Sequence, residues 1–298
     1  MNRIRKMLNI DEIHKNGYTG KDIGIAILDT GIATHQDFDG RIVCFKDYMN
    51  GKTAAYDDNG HGTHVSGIIA GSGRKSNGRY KGIAPSSHII MLKCLDEAGN
   101  GSVSDAKNSF DFILNYKEEF NIKIVNISVG SVMKSGDREY ELLLNYVEYL
   151  WNMGLTVVVA AGNNGPESGS ITAPGCAKSV ITVGASDDNI EVNSTGRRKM
   201  INYSGRGPTD ICVVKPEIVC PGTGIISCNN HRFGYSPKSG TSMAAPVVSG
   251  VIALMLQKYP DLSNKEIKKR LYETAVDIGL PKSHQGWGLI NPVGLLNE

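Results

Sequence analysis

Five short, β-rich apolar runs, set apart by segments of helical periodicity, constrain this chain more than any other feature of its sequence. The runs are Gly24 to Leu28, His88 to Cys94, Ile122 to Ser128, Leu155 to Ala160 and Val180 to Gly184. Between them, Val65/Ile68/Ile69, Val103/Ala106/Phe110/Ile113/Leu114 and Leu143/Val147/Leu150 recur at the spacing of one helix face. Such alternation predicts an α/β fold: a three-layer, mostly parallel, doubly wound sheet with helices on both faces and right-handed connections. Ligands of such sheets bind beyond the carboxyl ends of the strands. Asp29, Ser128 and the block 160–163 all fall there.

One helical segment differs from the rest. From Ala244 to Leu256 the residues Ala245, Val247, Val248, Val251, Ile252, Leu254 and Met255 leave almost no polar face, which predicts a fully buried helix. Ser242 stands at its start, where free backbone N–H groups and the positive end of the helix dipole favour negative charge. Pro246 is expected within the first turns, where a missing N–H costs least. A final helix is announced by the capping box Ser263-x-x-Glu266.

With 298 residues and no Pro/Ser-rich linker, charge run or internal repeat, the chain reads as a single domain over 1–298, with residues 1–16 as an N-terminal segment. That length is enough to bury roughly three quarters of the unfolded surface. The net charge of +2, with no basic stretch interleaved with aromatics, excludes a nucleic-acid footprint. No apolar run reaches the roughly 18–20 residues of a membrane span. The segment Met1-Asn2-Arg3-Ile4-Arg5-Lys6-Met7-Leu8 is basic but lacks the apolar stretch of a secretory signal, so a cytoplasmic protein is expected, with a trimmed, exported form as the alternative. In that setting Cys44, Cys94, Cys176, Cys212, Cys220 and Cys228 are expected to be reduced thiols, and the lack of a Cys-x-x-Cys pair argues against structural zinc.

Chemistry enters with three Gly-rich blocks: Asp29-Thr30-Gly31, His61-Gly62-Thr63-His64 and Gly240-Thr241-Ser242-Met243-Ala244. A hydroxyl is a poor nucleophile until a neighbouring imidazole removes its proton, and an acid, a base and a serine are the set that acyl transfer needs. The order Asp, His, Ser is one of three in which this constellation occurs. A fourth block reads Ala160-Ala161-Gly162-Asn163-Asn164-Gly165, and a fifth Asn126-Ile127-Ser128-Val129-Gly130.

At these residues the sequence resembles the subtilisin-like serine proteases (subtilases), most closely their intracellular bacterial branch, over about residues 16–292. The resemblance implies that Asp29 orients the imidazole, His61 is the general base and then acid, and Ser242 is the nucleophile. It also nominates Asn163 as the side-chain donor of the oxyanion hole. Substrate would be a peptide or unfolded protein added as a strand between Asn100-Gly101-Ser102-Val103 and Ser128-Val129-Gly130, with Ala161 and Gly162 at the pocket. No acidic residue occurs in 128–130 or 160–162, so apolar or uncharged side chains are expected at the cleaved position. Val103 stands where many relatives carry a bulky aromatic, which would open an outer pocket. Asp57 and Asp58 either favour a basic residue beside the cleaved one or form an exposed turn.

Metal chemistry finds little support in the residue patterns. His61 and His64 lack the Glu and third ligand of a helical zinc site, and the resemblance makes His64 a packed helix residue. Gly51-Lys52-Thr53 lacks the earlier Gly of a phosphate loop, and Gly71-Ser72-Gly73 lacks the third Gly of a dinucleotide site. Many extracellular subtilases bind calcium through the loop after the His helix and an Asp matching Asp37. Here that loop, 71–81, carries four cations and no carboxylate, so the tight calcium site is expected to be missing, no cofactor is required, and only a weaker Ca2+ site stays open. Residues 1–16 read either as an inhibitory or docking segment or as a helix packed through Ile10 and Ile13, the second being preferred. Two other functions use the same residues: a peptide-binding pseudoprotease, and an acyl transferase or dedicated precursor-maturing protease.

Overall fold

The computed structural model describes residues 1–130, 136–190, 192–193, 199–211, 214–231 and 234–297. Two short helices, α1 (Asn2–Met7) and α2 (Ile10–Lys15), lead into β1 (Gly24–Asp29) and β2 (Ile42–Asp47). Then follow α3 (His61–Ala70), β3 (His88–Lys93), α4 (Val103–Tyr116), β4 (Ile122–Ile127), α5 (Arg138–Asn152), β5 (Thr156–Ala160) and β6 (Ile181–Ala185). The rest comprises the two-residue strands β7 (Val192–Asn193) and β8 (Lys199–Met200), then β9 (Ile218–Cys220), β10 (Ile225–Cys228), β11 (Tyr235–Lys238), α6 (Thr241–Lys258), α7 (Asn264–Thr274), α8 (Lys282–Gln285) and α9 (Pro292–Asn297).

Seven strands form one parallel sheet in the order β2-β3-β1-β4-β5-β6-β9, with helices on both faces. The order reverses between β1 and β4, so the carboxyl ends of those neighbours flank the crevice where such folds bind ligands. The five apolar runs are the five central strands, each within a residue or two of its expected bounds. Two sheet strands were not expected. β2 has half-exposed and exposed residues along most of its length, and β9 is only three residues long. Edge position explains the first, since an edge strand has only one neighbour to demand apolar pairing; β9 is buried and apolar throughout but too short a run to mark a strand.

Helix α6 is buried from Met243 to Leu256 and packs on α3, β4, β5, β6 and β9. By length and composition it could cross a membrane, but 83% of its apolar window is buried within the protein, which makes it the core helix. Pro246 lies within the first turns as expected, but as the sixth residue of α6 it is past the free N–H groups and removes the one that would bond the Ser242 carbonyl. The capping box at Ser263 is formed, with the hydroxyl accepting from Glu266 N, yet α7 is followed by α8 and α9 rather than being the last helix. Ile4, Leu8, Ile10 and Ile13 of the N-terminal segment are buried in the same apolar core as the sheet.

Candidate active site

Asp29 ends β1 with its side chain fully buried, and His61 opens α3. The His61 Nδ1–H donates to Asp29 Oδ1 at 2.7 Å and lies 3.0 Å from Oδ2. This fixes the tautomer and leaves Nε2 as the basic nitrogen. Burial lowers the basicity of the imidazole, but the charge and hydrogen bond of Asp29 outweigh it, and the net shift is upward from the ordinary histidine value. The ring keeps 23% of its side-chain surface exposed, so it is open on the side away from the carboxylate. Helix and strand approach closely here: a β-carbon on Gly62 would collide with the carbonyl oxygen of Gly31.

Asp57 holds this approach, and neither expected reading of it survives. It is buried, and its Oδ1 accepts from Thr30 Oγ1 (2.9 Å), Asn59 N (3.1 Å) and Gly60 N (2.7 Å). Its Oδ2 accepts from Thr63 N (2.9 Å) and Thr63 Oγ1 (2.6 Å). Thr30 Oγ1 in turn accepts from Gly62 N at 2.9 Å. One carboxylate therefore ties the block after Asp29 to the first turn of α3, where a negative charge also suits the helix dipole. Asp58 is one-third exposed and pairs with the fully buried Lys93 at 2.8 Å. The Lys93 ammonium also donates to the carbonyls of Thr30 and Leu95.

Ser242 is the second residue of α6, partly exposed. Gly240 caps the helix at φ +146°, a conformation that favours glycine, and a β-carbon there would come within 3.1 Å of Asn163 Nδ2. The Asn163 Oδ1 accepts from Thr241 N (2.9 Å) and Thr241 Oγ1 (3.1 Å), which orients the amide and leaves Nδ2 as its free donor end beside the nucleophile's turn. Thr241 is thus a positioning residue that the sequence reading passed over. The Ser242 hydroxyl and His61 share no hydrogen bond among the described residues; α3 and α6, which carry them, pack against each other. Catalytic hydrogen bonds of this kind often tighten only when substrate binds.

The pocket residues take varied parts. Ser128 is fully buried and its hydroxyl accepts from Asn126 Nδ2, while Asn126 Oδ1 accepts from Ser249 of α6, so any contact with a peptide falls to its backbone. Ala161 donates to Val183 O and accepts from Thr172 N; Gly162 donates to Thr241 Oγ1 and accepts from Gly205 N. Both can line a pocket, but their main-chain groups are already paired. Ser102 caps α4 with Asp105. Asn100, Gly101, Ser102, Val103, Val129 and Gly130 border a cavity of about 300 Å³ whose other walls include Leu95, Ala106, Phe110 and Leu143.

Thr172 was not singled out from sequence, because nothing local marks it. It is 7% exposed, its hydroxyl has no partner among the described residues, and a β-carbon on either Gly130 or Gly162 would collide with that hydroxyl. It therefore stands between the segments 128–130 and 161–163 and fills the space between them.

The loop 71–81 has its own cation. The Arg5 guanidinium, largely buried, donates from Nη1 to the carbonyls of Gly78 and Lys81, both at 2.9 Å, and pairs through Nε with Asp11 at 2.8 Å. His64 is fully buried, with Nε2 3.0 Å from the carbonyls of Ile225 and Ser236, and burial followed by the charge of Lys238 pushes its pKa down to about 3. It is a neutral packing residue. Cys44, Cys94, Cys176, Cys220 and Cys228 are all free thiols; Cys212 lies outside the described residues.

A sequence profile of the subtilase family matches residues 20–288. Among curated proteins, serine protease AprX of Bacillus subtilis (strain 168) is 42% identical over 279 residues, which cover 87% of this chain and 63% of AprX, so the chain spans less than two thirds of that relative. Subtilisin Savinase of Lederbergia lenta is 34% identical over 278 residues, covering 93% of this chain and 92% of Savinase. Among solved structures, Sphericase superposes with a TM-score of 0.77 at 29% identity, covering 95% of this chain and 96% of its own. The profile match and these likenesses agree with the parallel sheet: this chain belongs to the subtilase family.

Proposed function

We propose that the chain is a serine endopeptidase that cleaves peptide or unfolded-protein substrates through Asp29, His61 and Ser242. The observation that carries this reading is the buried Asp29 carboxylate bonded to His61 Nδ1 at 2.7 Å, with the far edge of the ring open. His61 Nε2 takes the Ser242 Oγ proton as Oγ attacks the scissile carbonyl. The negative charge passes to the carbonyl oxygen, where the Asn163 Nδ2 amide and the Ser242 backbone N–H are the donors in reach of α6. His61 then gives its proton to the departing amine, and the acyl-enzyme is released when water, deprotonated by the same nitrogen, repeats the attack.

The substrate chain would pair as a strand with the segments around 100–103 and 128–130. Thr172 narrows the primary pocket, which favours small or uncharged side chains at the cleaved position, and a hydroxyl without a partner favours one that can hydrogen-bond. The cavity lined by Val103, Ala106, Phe110 and Leu143 would take an apolar residue further along the substrate. No cofactor is required in this reading, and Arg5 does for the loop 71–81 what a metal would do. Five free thiols fit a reducing, cytoplasmic setting.

The test is intact mass after incubation with phenylmethylsulfonyl fluoride, on the parent chain and on Ser242→Ala. One adduct on the parent and none on the variant is the expected result. A folded parent that takes up no adduct would overturn the proposal in favour of a peptide-binding pseudoprotease. Product analysis with an added amine nucleophile then separates hydrolysis from acyl transfer.

A further inference from the structure

Away from the catalytic groups, three potential metal ligands from two distant parts of the chain converge in the interior. His35, Asp37 and Cys228 are all buried, and one ligand atom from each lies within 4.8 Å of the other two. The Cys228 sulfur is 3.6 Å from Asp37 Oδ2, and His35 Nδ1 is 3.9 Å from Asp37 Oδ1. Zinc bound at about 2.3 Å to sulfur and about 2.0–2.1 Å to nitrogen and oxygen holds tetrahedral ligand atoms about 3.3–3.6 Å apart. The Cys228–Asp37 edge already has that spacing, while the His35–Asp37 edge, which ends on the other carboxylate oxygen, is about half an ångström longer and must close on binding.

The surroundings are those of a metal-ligating histidine and carboxylate. His35 Nε2 lies 3.2 Å from the Gly234 carbonyl, which sets the Nε2–H tautomer and leaves Nδ1 as the acceptor, occupied here by the Asp37 backbone N–H. Asp37 is held in turn: Oδ1 accepts from Lys75 N at 3.0 Å and Oδ2 from the Tyr235 hydroxyl at 2.8 Å. A thiolate and a carboxylate balance a divalent charge, and a thiolate selects a borderline-soft ion over calcium.

We propose that His35, Asp37 and Cys228 form a structural zinc site, completed by a fourth ligand from solvent. The metal exchanges the Asp37 N–H contact with His35 Nδ1, 3.1 Å long, for three coordinate bonds, and the Cys228 thiol releases its proton to solvent on binding. It ties the turn 35–38 that follows β1, whose Asp37 also accepts from the loop carrying Lys75, to the β10–β11 hairpin. That hairpin bears on the catalytic helix, since Ser227 Oγ donates to His64 O at 2.8 Å. The site lay outside the reach of spacing rules because Cys228 is 191 residues from Asp37 along the chain.

The experiment uses the full chain carrying Ser242→Ala, to prevent self-digestion, stripped with a chelator and titrated with Co2+ and then Zn2+. One Co2+ per chain should bind with a sulfur-to-metal charge-transfer band, and Zn2+ should displace it and raise Tm. Cys228→Ser should abolish the band and weaken binding at least about tenfold, since even outer-shell changes cost about 10–100-fold. Cys44→Ser, at a half-buried thiol outside the cluster, should leave both unchanged. A parent that binds no Co2+ at one equivalent, or a band that survives Cys228→Ser, would overturn the proposal and leave the cluster as a hydrogen-bond network.

Discussion

Replacing Asp57 by Asn tests whether this carboxylate sets the Asp29–His61 geometry. The five donors it accepts come from four residues on or beside the two elements that carry Asp29 and His61. An Asn with its oxygen in place of Oδ1 keeps the three bonds from Thr30, Asn59 and Gly60, but as neutral ones. The change from a charged to a neutral acceptor costs about 1 kcal/mol per bond, hence about 3 kcal/mol. On the other side its NH2 faces Thr63: the hydroxyl can turn to accept, while the Thr63 N–H is left buried and unpaired at about 1–3 kcal/mol. Some relaxation is expected, so the loss should be about 3–5 kcal/mol, a large part of a typical stability of about 5–15 kcal/mol. Urea unfolding of Asp57→Asn in the Ser242→Ala background reads this directly. In the active chain kcat should fall with KM little changed, because the residue touches no substrate. A loss below about 1 kcal/mol together with an unchanged kcat would refute the reasoning.

Because Asp29 raises the His61 pKa, the base should lose activity at a higher pH than an ordinary imidazole would: kcat/KM falls as pH drops through that raised value. Asp29→Asn should move this limb to lower pH and reduce kcat by as much as about 10⁴-fold, as in other triads, and an unmoved limb would show that the carboxylate does not govern the ring. Thr172→Val removes the unpartnered hydroxyl at nearly constant volume, so kcat/KM for substrates with a hydrogen-bonding side chain at the cleaved position should fall relative to Ala or Val substrates, by a factor corresponding to about 1–3 kcal/mol. Equal changes across a peptide series would remove Thr172 from the pocket. Added Ca2+ should leave Tm unchanged, because Arg5 already engages the carbonyls of the 71–81 loop, whereas a site saturated at a hundred times its Kd would add about 2.7 kcal/mol.

The strands β1, β3, β4, β5 and β6 and helices α3 to α7 were legible in the sequence because period and apolarity are local properties. So were the Gly-rich blocks, whose residue types and order name a chemistry without any knowledge of distance. Edge strand β2 hid because half of its surface is never asked to be apolar. The pairings were decided only by the fold. Asp57 read as a turn residue and became the clamp between β1 and α3; Thr172 carried no mark and fills the space between the segments 128–130 and 161–163. Arg5 meets Gly78 from 73 residues away, and Cys228 meets Asp37 from 191. The sequence by itself determined the layers, the buried helix and the reacting groups, since each depends on neighbours within a few turns. Which carboxylate orients, which cation fills a loop and which hydroxyl stays unpaired are questions of side chains brought together by the sheet, and only the tertiary structure answers them.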